Sequence, residues 1–320
     1  MIPPRPYPVP VGRTSRRLEW AHLPPAVRAA IERRIGTPVT EARSQTSGFT
    51  PGFASVLLGA DGTRHFVKAA STKAQRMFAD SYREEARKLA SLPPEVPAPR
   101  LRWTLDVEDW FAIGIEHVEG RAPRRPWTQE DLDLALDMLA VTGEATTPAP
   151  DGLRLNTFAD ELASWPAYWD YLRATFVLPH GDEAAALAAG FADVVHGTTM
   201  VHTDVRDDNI LITPEGRALL CDWNWPVVGA PWLDSLLLLI GPCGDGLDVE
   251  AVIAQHPSFA GVPAESIDRV LALVIGYFLK SGDDPVPPTS PHIRDHQRWQ
   301  GDVVWDWLCH RRGWETGEPA

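Results

Sequence analysis

His202, Asp204 and Asn209 stand in the order His-x-Asp-x-x-x-x-Asn, directly ahead of the apolar run Ile210-Leu211-Ile212. A carboxylate and a carboxamide five residues apart on one loop can face one cleft and divide two tasks. Asp204 can orient an attacking hydroxyl and receive its proton, while Asn209 can offer an oxygen to a magnesium ion that bridges phosphates. That is the equipment of phosphoryl transfer. A turn at Pro214-Glu215-Gly216 returns the chain through Ala218-Leu219-Leu220-Cys221 to Asp222. A hairpin opened by Asn209 and closed by Asp222 sets two hard oxygen donors side by side, the kind magnesium takes. The plain alternative, a polar loop ahead of a strand, accounts for the loop but not for the hairpin and its second acid.

These residues carry a resemblance. The loop has the spacing of the kinase catalytic loop, and Asp222 is followed by Gly229, Pro231 and Asp234 at offsets of seven, nine and twelve. Together they resemble the aminoglycoside phosphotransferase family of antibiotic kinases, over most of the chain from about Gly36 to the last helices. The resemblance implies an α+β, bilobal, protein-kinase-like fold with a small β-rich N-lobe and a larger, mostly helical C-lobe. It also implies ATP or GTP as co-substrate, Mg²⁺ as cofactor, a catalytic Asp204, metal ligands at Asn209 and Asp222, and an Asp234 that braces the catalytic loop. Thr203 stands where the family often has Gly, Arg206 where it often has His, and Asn224 where many members carry an acid. Position 206 is where protein kinases place a Lys that touches the transferred phosphate. A guanidinium can serve there too, which makes Arg206 a second catalytic candidate.

By itself a Lys on a strand is an edge charge facing water. Within the family pattern, Lys68 of Phe66-Val67-Lys68-Ala69 resembles the lysine that grips the α- and β-phosphates. Its partner is then a Glu on the following helix, where Glu84 and Glu85 both stand. Glu85 is preferred because it lies four residues before Leu89, as the family's Glu does before a Leu. Gly48-Phe49-Thr50-Pro51-Gly52 sits where a phosphate-covering loop belongs. Ser47 and Thr50 offer hydroxyls there, and Gly48 a backbone N–H. Glu116-His117-Val118 follows an apolar strand and fits a hinge that meets a purine through backbone groups at Glu116 and Val118.

Elements able to position these residues are legible around them. A short helix runs from Pro25 to Arg34 and stops at Gly36. Phe53–Leu58 and His65–Ala69 form a hairpin about Asp61-Gly62, and Leu101–Leu105 and Trp110–Ile115 a second strand pair. Between them Met77–Leu92 is an amphipathic helix ended by Pro93-Pro94. Thr128 caps a helix over Leu132–Thr146, and further helices are expected over Phe158–Phe176, Glu183–Met200, Leu233–Leu239, Ala264–Leu279 and Trp299–His310. Residues 1–15, rich in proline, read as extended or loosely packed. The division expected is an N-terminal extension at 1–35, a nucleotide-binding N-lobe at 36–118, and a catalytic and substrate-binding C-lobe at 119–320.

Composition limits the partners. A net charge of −13 over 320 residues argues against nucleic acid, whose phosphates recruit an excess of Lys and Arg. An acidic surface suits a cationic substrate, although solubility alone explains it. No segment is apolar for long enough to span a bilayer, and the N-terminus lacks the apolar stretch of a signal peptide. Three widely spaced cysteines form neither a disulfide framework nor a zinc pattern, so the expected location is cytoplasmic. The protein is expected as a monomer or dimer. Trp299, Trp305, Trp307 and Trp314 read as packing for the last helix, with an aromatic substrate wall as the sharper alternative. Asp302, Asp306 and Asp283-Asp284 read as a solvated face, with a cation site as theirs.

The expected activity is transfer of a γ-phosphate to a hydroxyl of a small molecule, an antibiotic or related natural product, with resistance as the outcome. A metabolite kinase for an amino alcohol or sugar is the neighbouring reading. A protein kinase is disfavoured by the absence of Asp-Phe-Gly and Ala-Pro-Glu. A catalytically dead binding module of the same fold would lack Asp204, Asn209, Asp222 or Lys68, and all four are present.

Overall fold

The structure, a computed structural model, describes residues 2–10, 14–48 and 52–315. Helix α1 (Pro25–Ile35) opens on a proline, whose fixed φ suits a first turn, and closes on Gly36 at φ +82°, whose N–H bonds the Glu32 carbonyl. Then come β1 (Val39–Ser44), β2 (Phe53–Gly59), β3 (Arg64–Ser71), α2 (Arg76–Ser91), β4 (Leu101–Val107) and β5 (Trp110–Ile115). Those strands make one antiparallel sheet in the order β1-β2-β3-β5-β4. Alternation along β3 divides its side chains between the two faces. Val67 and Ala69 pack with Phe53, Leu57, Trp103 and Ala112 against Val27 and Ile31 of α1. Ala70 joins Phe111 and Ile113 on the other face, against Ala79, Ala86 and Leu89 of α2. Lys68 shares that second face, and a one-residue slip of register would carry it away from α2.

The rest of the chain is mainly helical. It runs through α3 (Gln129–Ala145), α4 (Phe158–Glu161), α5 (Tyr168–Thr175), α6 (Gly181–Ala189), β6 (Thr199–Val201), β7 (Ile210–Ile212), β8 (Ala218–Leu220), β9 (Val227–Gly229), α7 (Leu233–Leu238), α8 (Ile240–Gly244), α9 (Val249–Gln255), α10 (Ala264–Gly282) and α11 (Ile293–Arg312). The Thr128 hydroxyl caps α3 by accepting the Asp131 N–H at 3.3 Å. Strands β7 and β8 pair as the expected hairpin. The architecture is α+β: a β-rich N-terminal part, a helical C-terminal part, and a cleft between them.

Three expectations are corrected. The helix over Phe158–Phe176 is interrupted, because Pro166 has no N–H to give and the chain tightens into a 3-10 turn at Trp165–Ala167. The helix over Glu183–Met200 ends at Ala189, and Thr199–Val201 instead pairs with β9, where its two β-branched residues suit a strand. The N-terminal segment is not loosely packed. The Arg5 N–H bonds the Gly244 carbonyl at 2.8 Å, and the Trp299 indole N–H bonds the Arg5 carbonyl at 3.0 Å. The Thr14 and Ser15 N–H groups both reach the Thr46 carbonyl, at 2.9 and 3.2 Å, and the Arg16 N–H reaches the Thr289 carbonyl at 3.0 Å. This segment therefore ties the loop after β1 to the C-terminal helices.

Tryptophan supplies core volume. Trp169, Trp223 and Trp307 are fully buried, and each donates its N–H: to the carbonyls of Ala272 and Leu220 at 3.0 Å, and to Glu250 Oε1 at 2.6 Å. Trp299 and Trp305 are buried as well, so the packing reading holds and these residues form no substrate wall. Arg5 lies 2.5 Å from Asp306 and 3.8 Å from Asp302, and Asp283 and Asp284 pair with Arg298 and Lys280, so each of these carboxylates has a cationic partner within the chain. All three cysteines are free. Among the described residues no helix is long and apolar enough to cross a membrane.

Candidate active site

The loop between β6 and β7 carries the His-x-Asp pattern, and its shape is set from below. The buried Asp234 carboxylate, in the first turn of α7, accepts the N–H of His202 at 2.7 Å and of Thr203 at 2.9 Å. Burial raises the Asp234 pKa, and those two bonds oppose the rise. The His202 ring donates from Nε2 to the Cys221 carbonyl at 3.0 Å and accepts the Asp204 N–H at Nδ1, 3.3 Å away. Thr203 sits in left-handed backbone at φ +69°, uncommon for a β-branched residue. Its hydroxyl donates to the Trp225 carbonyl at 2.9 Å, an offset for the strain where a glycine would have had none. Asp204, half-buried, accepts the Asn209 side-chain N–H at 3.0 Å, and the same amide reaches the Asp204 carbonyl at 2.9 Å. Those two bonds orient the Asn209 amide and leave its oxygen for another ligand.

Arg206 is brought against Asp204 and Asp208. Its Nε lies 3.1 Å from both Asp204 Oδ1 and Asp208 Oδ1. Burial pushes the Asp208 pKa up to about 6 even against Arg206. Asp207 moves the other way: burial would raise it, but Arg125, at 2.9 and 3.2 Å from its two oxygens, holds it down.

Across the cleft, Lys68 Nζ donates to both oxygens of Glu85 at 2.7 and 2.9 Å, and to Asp222 Oδ1 at 2.9 Å. Glu85 is 1% exposed and Lys68 9%, so this is a buried pair held by a third group. Burial opposes the Lys68 charge, yet Asp222 and Glu85 together hold its pKa above the ordinary value. Burial raises Glu85 despite the Lys68 charge. Glu84, the other candidate, points to Arg87 at 2.7 Å and is half exposed. Asp222, at φ +65°, also accepts from the Asn224 amide, whose oxygen takes the Ser81 hydroxyl at 2.8 Å. Asn224 thus orients Asp222 toward α2 and the lysine.

Lys68, Glu85, Ser47, Gly48, Glu116, Val118, Asn209 and Asp222 all line one cavity of about 610 Å³. Thr50 lies outside the described residues. Apolar Ala54, Val56, Phe66, Ile115 and Ile210 line the same cavity. Magnesium fits the donors present. Asp222 and Asn209 offer hard oxygens side by side, since the Cys221 N–H bonds the Asn209 carbonyl at 2.8 Å. Among the described residues no three His, Cys, Asp or Glu side chains cluster to hold a metal, so phosphate oxygens and water would complete its shell.

This geometry is joined by direct likeness. Residues 48–261, about two thirds of the chain, match the APH family, described as the phosphotransferase enzyme family. The chain belongs to that family. It is a phosphotransferase acting on hydroxyl acceptors. Among solved structures it is similar to choline kinase LicA from Streptococcus pneumoniae, at 14% identity and TM-score 0.59 over 87% of this chain and 98% of that one. It is also similar to a thermostable mutant of aminoglycoside phosphotransferase APH(4)-Ia in ternary complex with ADP and hygromycin B, at 16% identity and TM-score 0.57 over 91% and 100%. Spectinomycin phosphotransferase APH(9)-Ia, bound to AMP, follows at 10% identity and TM-score 0.56 over 87% and 96%. These likenesses show the bilobal, protein-kinase-like fold. No curated protein matches the sequence.

Sequence reasoning missed one contributor to this phosphotransferase site. Tyr7, Pro10, Thr14 and Arg17 of the N-terminal segment, with Arg125 in the segment between β5 and α3, line the same cavity. Tyr7 lies over the Arg125 guanidinium at 4.2 Å and meets His296 Nδ1 through its hydroxyl at 2.9 Å. The Thr14 hydroxyl reaches the Gly48 carbonyl at 2.5 Å, and Arg17 the Ser47 carbonyl at 3.0 Å. A signal existed. Pro3, Pro4, Pro6, Pro8 and Pro10 pre-set an extended backbone with little entropy left to lose on docking, and Arg5 and Tyr7 between them are docking side chains.

Proposed function

We propose that this phosphotransferase moves the γ-phosphate of ATP or GTP, with Mg²⁺, onto a hydroxyl of an antibiotic or related natural product, and so protects its host. The observation that carries the reading is the single cavity shared by the Lys68–Glu85 pair, Asn209 and Asp222, with Asp204 tied to its edge through Asn209. Residues 36–118 bind the nucleotide and residues 119–320 hold the acceptor and the catalytic loop. The Glu116 carbonyl and the Val118 N–H meet the purine, since the Glu116 N–H is already given to the Arg100 carbonyl at 2.8 Å. Ser47, Gly48 and Thr50 cover the phosphates. Lys68, aligned by Glu85, holds the α- and β-phosphates.

Asp204 accepts a hydrogen bond from the acceptor hydroxyl, aims it for in-line attack, and takes its proton as the new oxygen–phosphorus bond forms, while the bond from the γ-phosphorus to the β,γ-bridging oxygen breaks and the nucleoside diphosphate leaves with that electron pair. Arg206 neutralises charge on the transferred group while Asp208 keeps its side chain in place. When bound at Asn209 and Asp222, Mg²⁺ supplies charge neutralisation on the phosphates. The chain acts in the cytoplasm, as a monomer or dimer.

The acceptor side favours a ring or a compact cation over a highly charged sugar. Tyr277 stacks on Trp165 at 4.0 Å, near enough to Asp204 that burial first and that carboxylate second push its phenol upward. Trp225, 63% exposed, adjoins the same loop. Such aromatic faces take sugar or base rings, and equally a quaternary ammonium. The amino-alcohol reading therefore stands second, supported by these aromatics and the likeness to a choline kinase.

The deciding experiment screens purified protein for phosphate transfer from ATP and from GTP to aminoglycosides, macrolides, nucleoside antibiotics, choline, ethanolamine and sugars. Inhibitory concentrations in a sensitive bacterium are measured in parallel, with Asp204→Asn as control. Transfer only to choline or another metabolite, with no compound losing potency, replaces the antibiotic reading. Absence of nucleotide binding overturns both.

A further inference from the structure

Among the cations that line the cleft, Arg17 makes no ion pair with any of the described residues. Arg43 pairs with Glu41, Arg64 with Glu119, Lys68 with Glu85 and Asp222, and Arg125 with Asp207 and Asp245. Arg17 lies within ion-pair distance of no carboxylate among the described residues, in a chain whose net charge is −13. A guanidinium has five N–H donors. One terminal nitrogen reaches the Ser47 carbonyl at 3.0 Å, while Nε is fully buried with no hydrogen-bond partner among the described residues. Burying an unmatched donor of a charged group costs free energy unless a ligand meets it.

Its position says which ligand. Arg17 lines the same cavity as Lys68, Asn209 and Asp222. A Cβ placed on Gly48, itself in left-handed backbone at φ +81°, would stand 3.4 Å from its terminal nitrogen and 3.9 Å from Asp208. Its charge is felt at Glu85 and Tyr82, beside Lys68. The guanidinium is therefore set where Gly48, Lys68 and Asp208 converge. It is held there by its own segment: Thr14 and Ser15 bind the Thr46 carbonyl, Thr14 also binds Gly48, and Arg16 binds Thr289.

We propose that Arg17 is a phosphate-binding residue of the nucleotide site, delivered into the cleft by the N-terminal segment. The proposal rests on the kinase reading above and adds to it a residue outside the catalytic motifs. A planar guanidinium matches two phosphate oxygens at once, and a nucleoside triphosphate supplies both the missing counter-charge and an acceptor for Nε. The N-terminal segment thereby becomes part of the nucleotide site, and Arg17 arrives pre-positioned.

The test compares binding of ATP, ADP and adenosine, and of GTP, GDP and guanosine where wild type prefers the guanine series, to full-length wild type, Arg17→Gln and Arg17→Lys by calorimetry, with thermal melts of each. Each outcome for ATP holds for GTP in its place. Arg17→Gln is expected to weaken ATP about 10- to 100-fold, the range for losing a charge-assisted contact, and to leave adenosine within about 2-fold. Arg17→Lys keeps the charge without the fork and is expected to recover part of the ATP affinity. In steady state the KM for nucleotide rises while the KM for acceptor does not. Unchanged ATP affinity, or equal losses for ATP and adenosine, overturns the proposal, because a purely structural arginine would move both ligands alike. Should Arg17→Gln fail to fold, the ATP-to-adenosine ratio of Arg17→Lys decides by the same criterion. A wild-type protein that binds no nucleotide overturns the kinase reading itself, a result distinct from an insensitive Arg17.

Discussion

Asp234→Asn isolates the anchor beneath the catalytic loop. In the native chain one buried carboxylate accepts two backbone N–H groups, from His202 at 2.7 Å and Thr203 at 2.9 Å. Bonds to a charged acceptor contribute about 1.5–3 kcal/mol each. Asparagine keeps one acceptor and turns an NH₂ toward the other N–H, so one such bond is lost and the second weakens. Against this, the substitution removes a carboxylate that burial already disfavours. The balance is a destabilisation of about 1–3 kcal/mol, a drop of several degrees in Tm for a chain of this size. The damage should be local, because Thr203 holds a left-handed conformation that itself costs on the order of 1–3 kcal/mol. Freed of its anchor, that residue relaxes and carries Asp204 with it. Turnover should therefore fall about 10- to 100-fold while nucleotide affinity stays within about 3-fold, since a 1 Å misplacement of a catalytic group is worth that much. Calorimetric melts, nucleotide titration and phosphate-transfer kinetics measure the three quantities. A variant equal to wild type in both Tm and turnover would refute the reasoning.

Asp204→Asn should leave nucleotide affinity nearly intact and lower turnover on the order of 10²- to 10⁴-fold, the usual contribution of a positioned base; near wild-type turnover would remove Asp204 from the mechanism. Asp222→Ala should abolish the magnesium dependence of nucleotide binding, read by titrating ATP with and without the metal; a retained difference places the metal elsewhere. His296, buried among Tyr7, Arg125, Arg206 and Asp207, has its pKa lowered by burial to about 3. The unfolded chain then binds the extra proton first, so this group stabilises the fold above about pH 6.5 and loses that contribution as pH falls toward 3. By pH 5 the loss is about 2 kcal/mol at about 1.4 kcal/mol per pH unit. His296→Gln should flatten the fall of Tm between pH 6.5 and 5, and an unchanged slope assigns the acid sensitivity to other groups.

The parts of the site that lie within a few residues of one another were open to sequence reading. Asp204, Asn209 and Asp222 sit on one loop and one short hairpin, so spacing alone fixes their neighbourhood. Lys68 needed only the alternation of a strand, and Glu85 only the helix that follows, for a pairing 17 residues apart to be foreseen. Local propensity misled where tertiary packing overruled it, as at Thr199–Val201, which pairs with β9 although it follows an alanine-rich stretch. The tryptophans of α11 were ambiguous because a buried stripe and a ligand wall share one helical period. Tertiary structure put Trp299, Trp305 and Trp307 inside.

The sequence by itself thus determined which side chains share one neighbourhood: Asp204, Asn209 and Asp222 on one loop and hairpin, and Lys68 with Glu85, on elements whose periods and turns set their geometry. Only the tertiary structure decided what surrounds those side chains. Arg5 reaches Asp306 and Tyr7 reaches His296 across nearly the whole chain, 301 and 289 residues away. No spacing rule reaches so far, because contacts between distant segments depend on how the helices stack and not on any local period. The same is true of Asp302 and Asp306, which read as a solvated face of the last helix until the fold laid Arg5 against them.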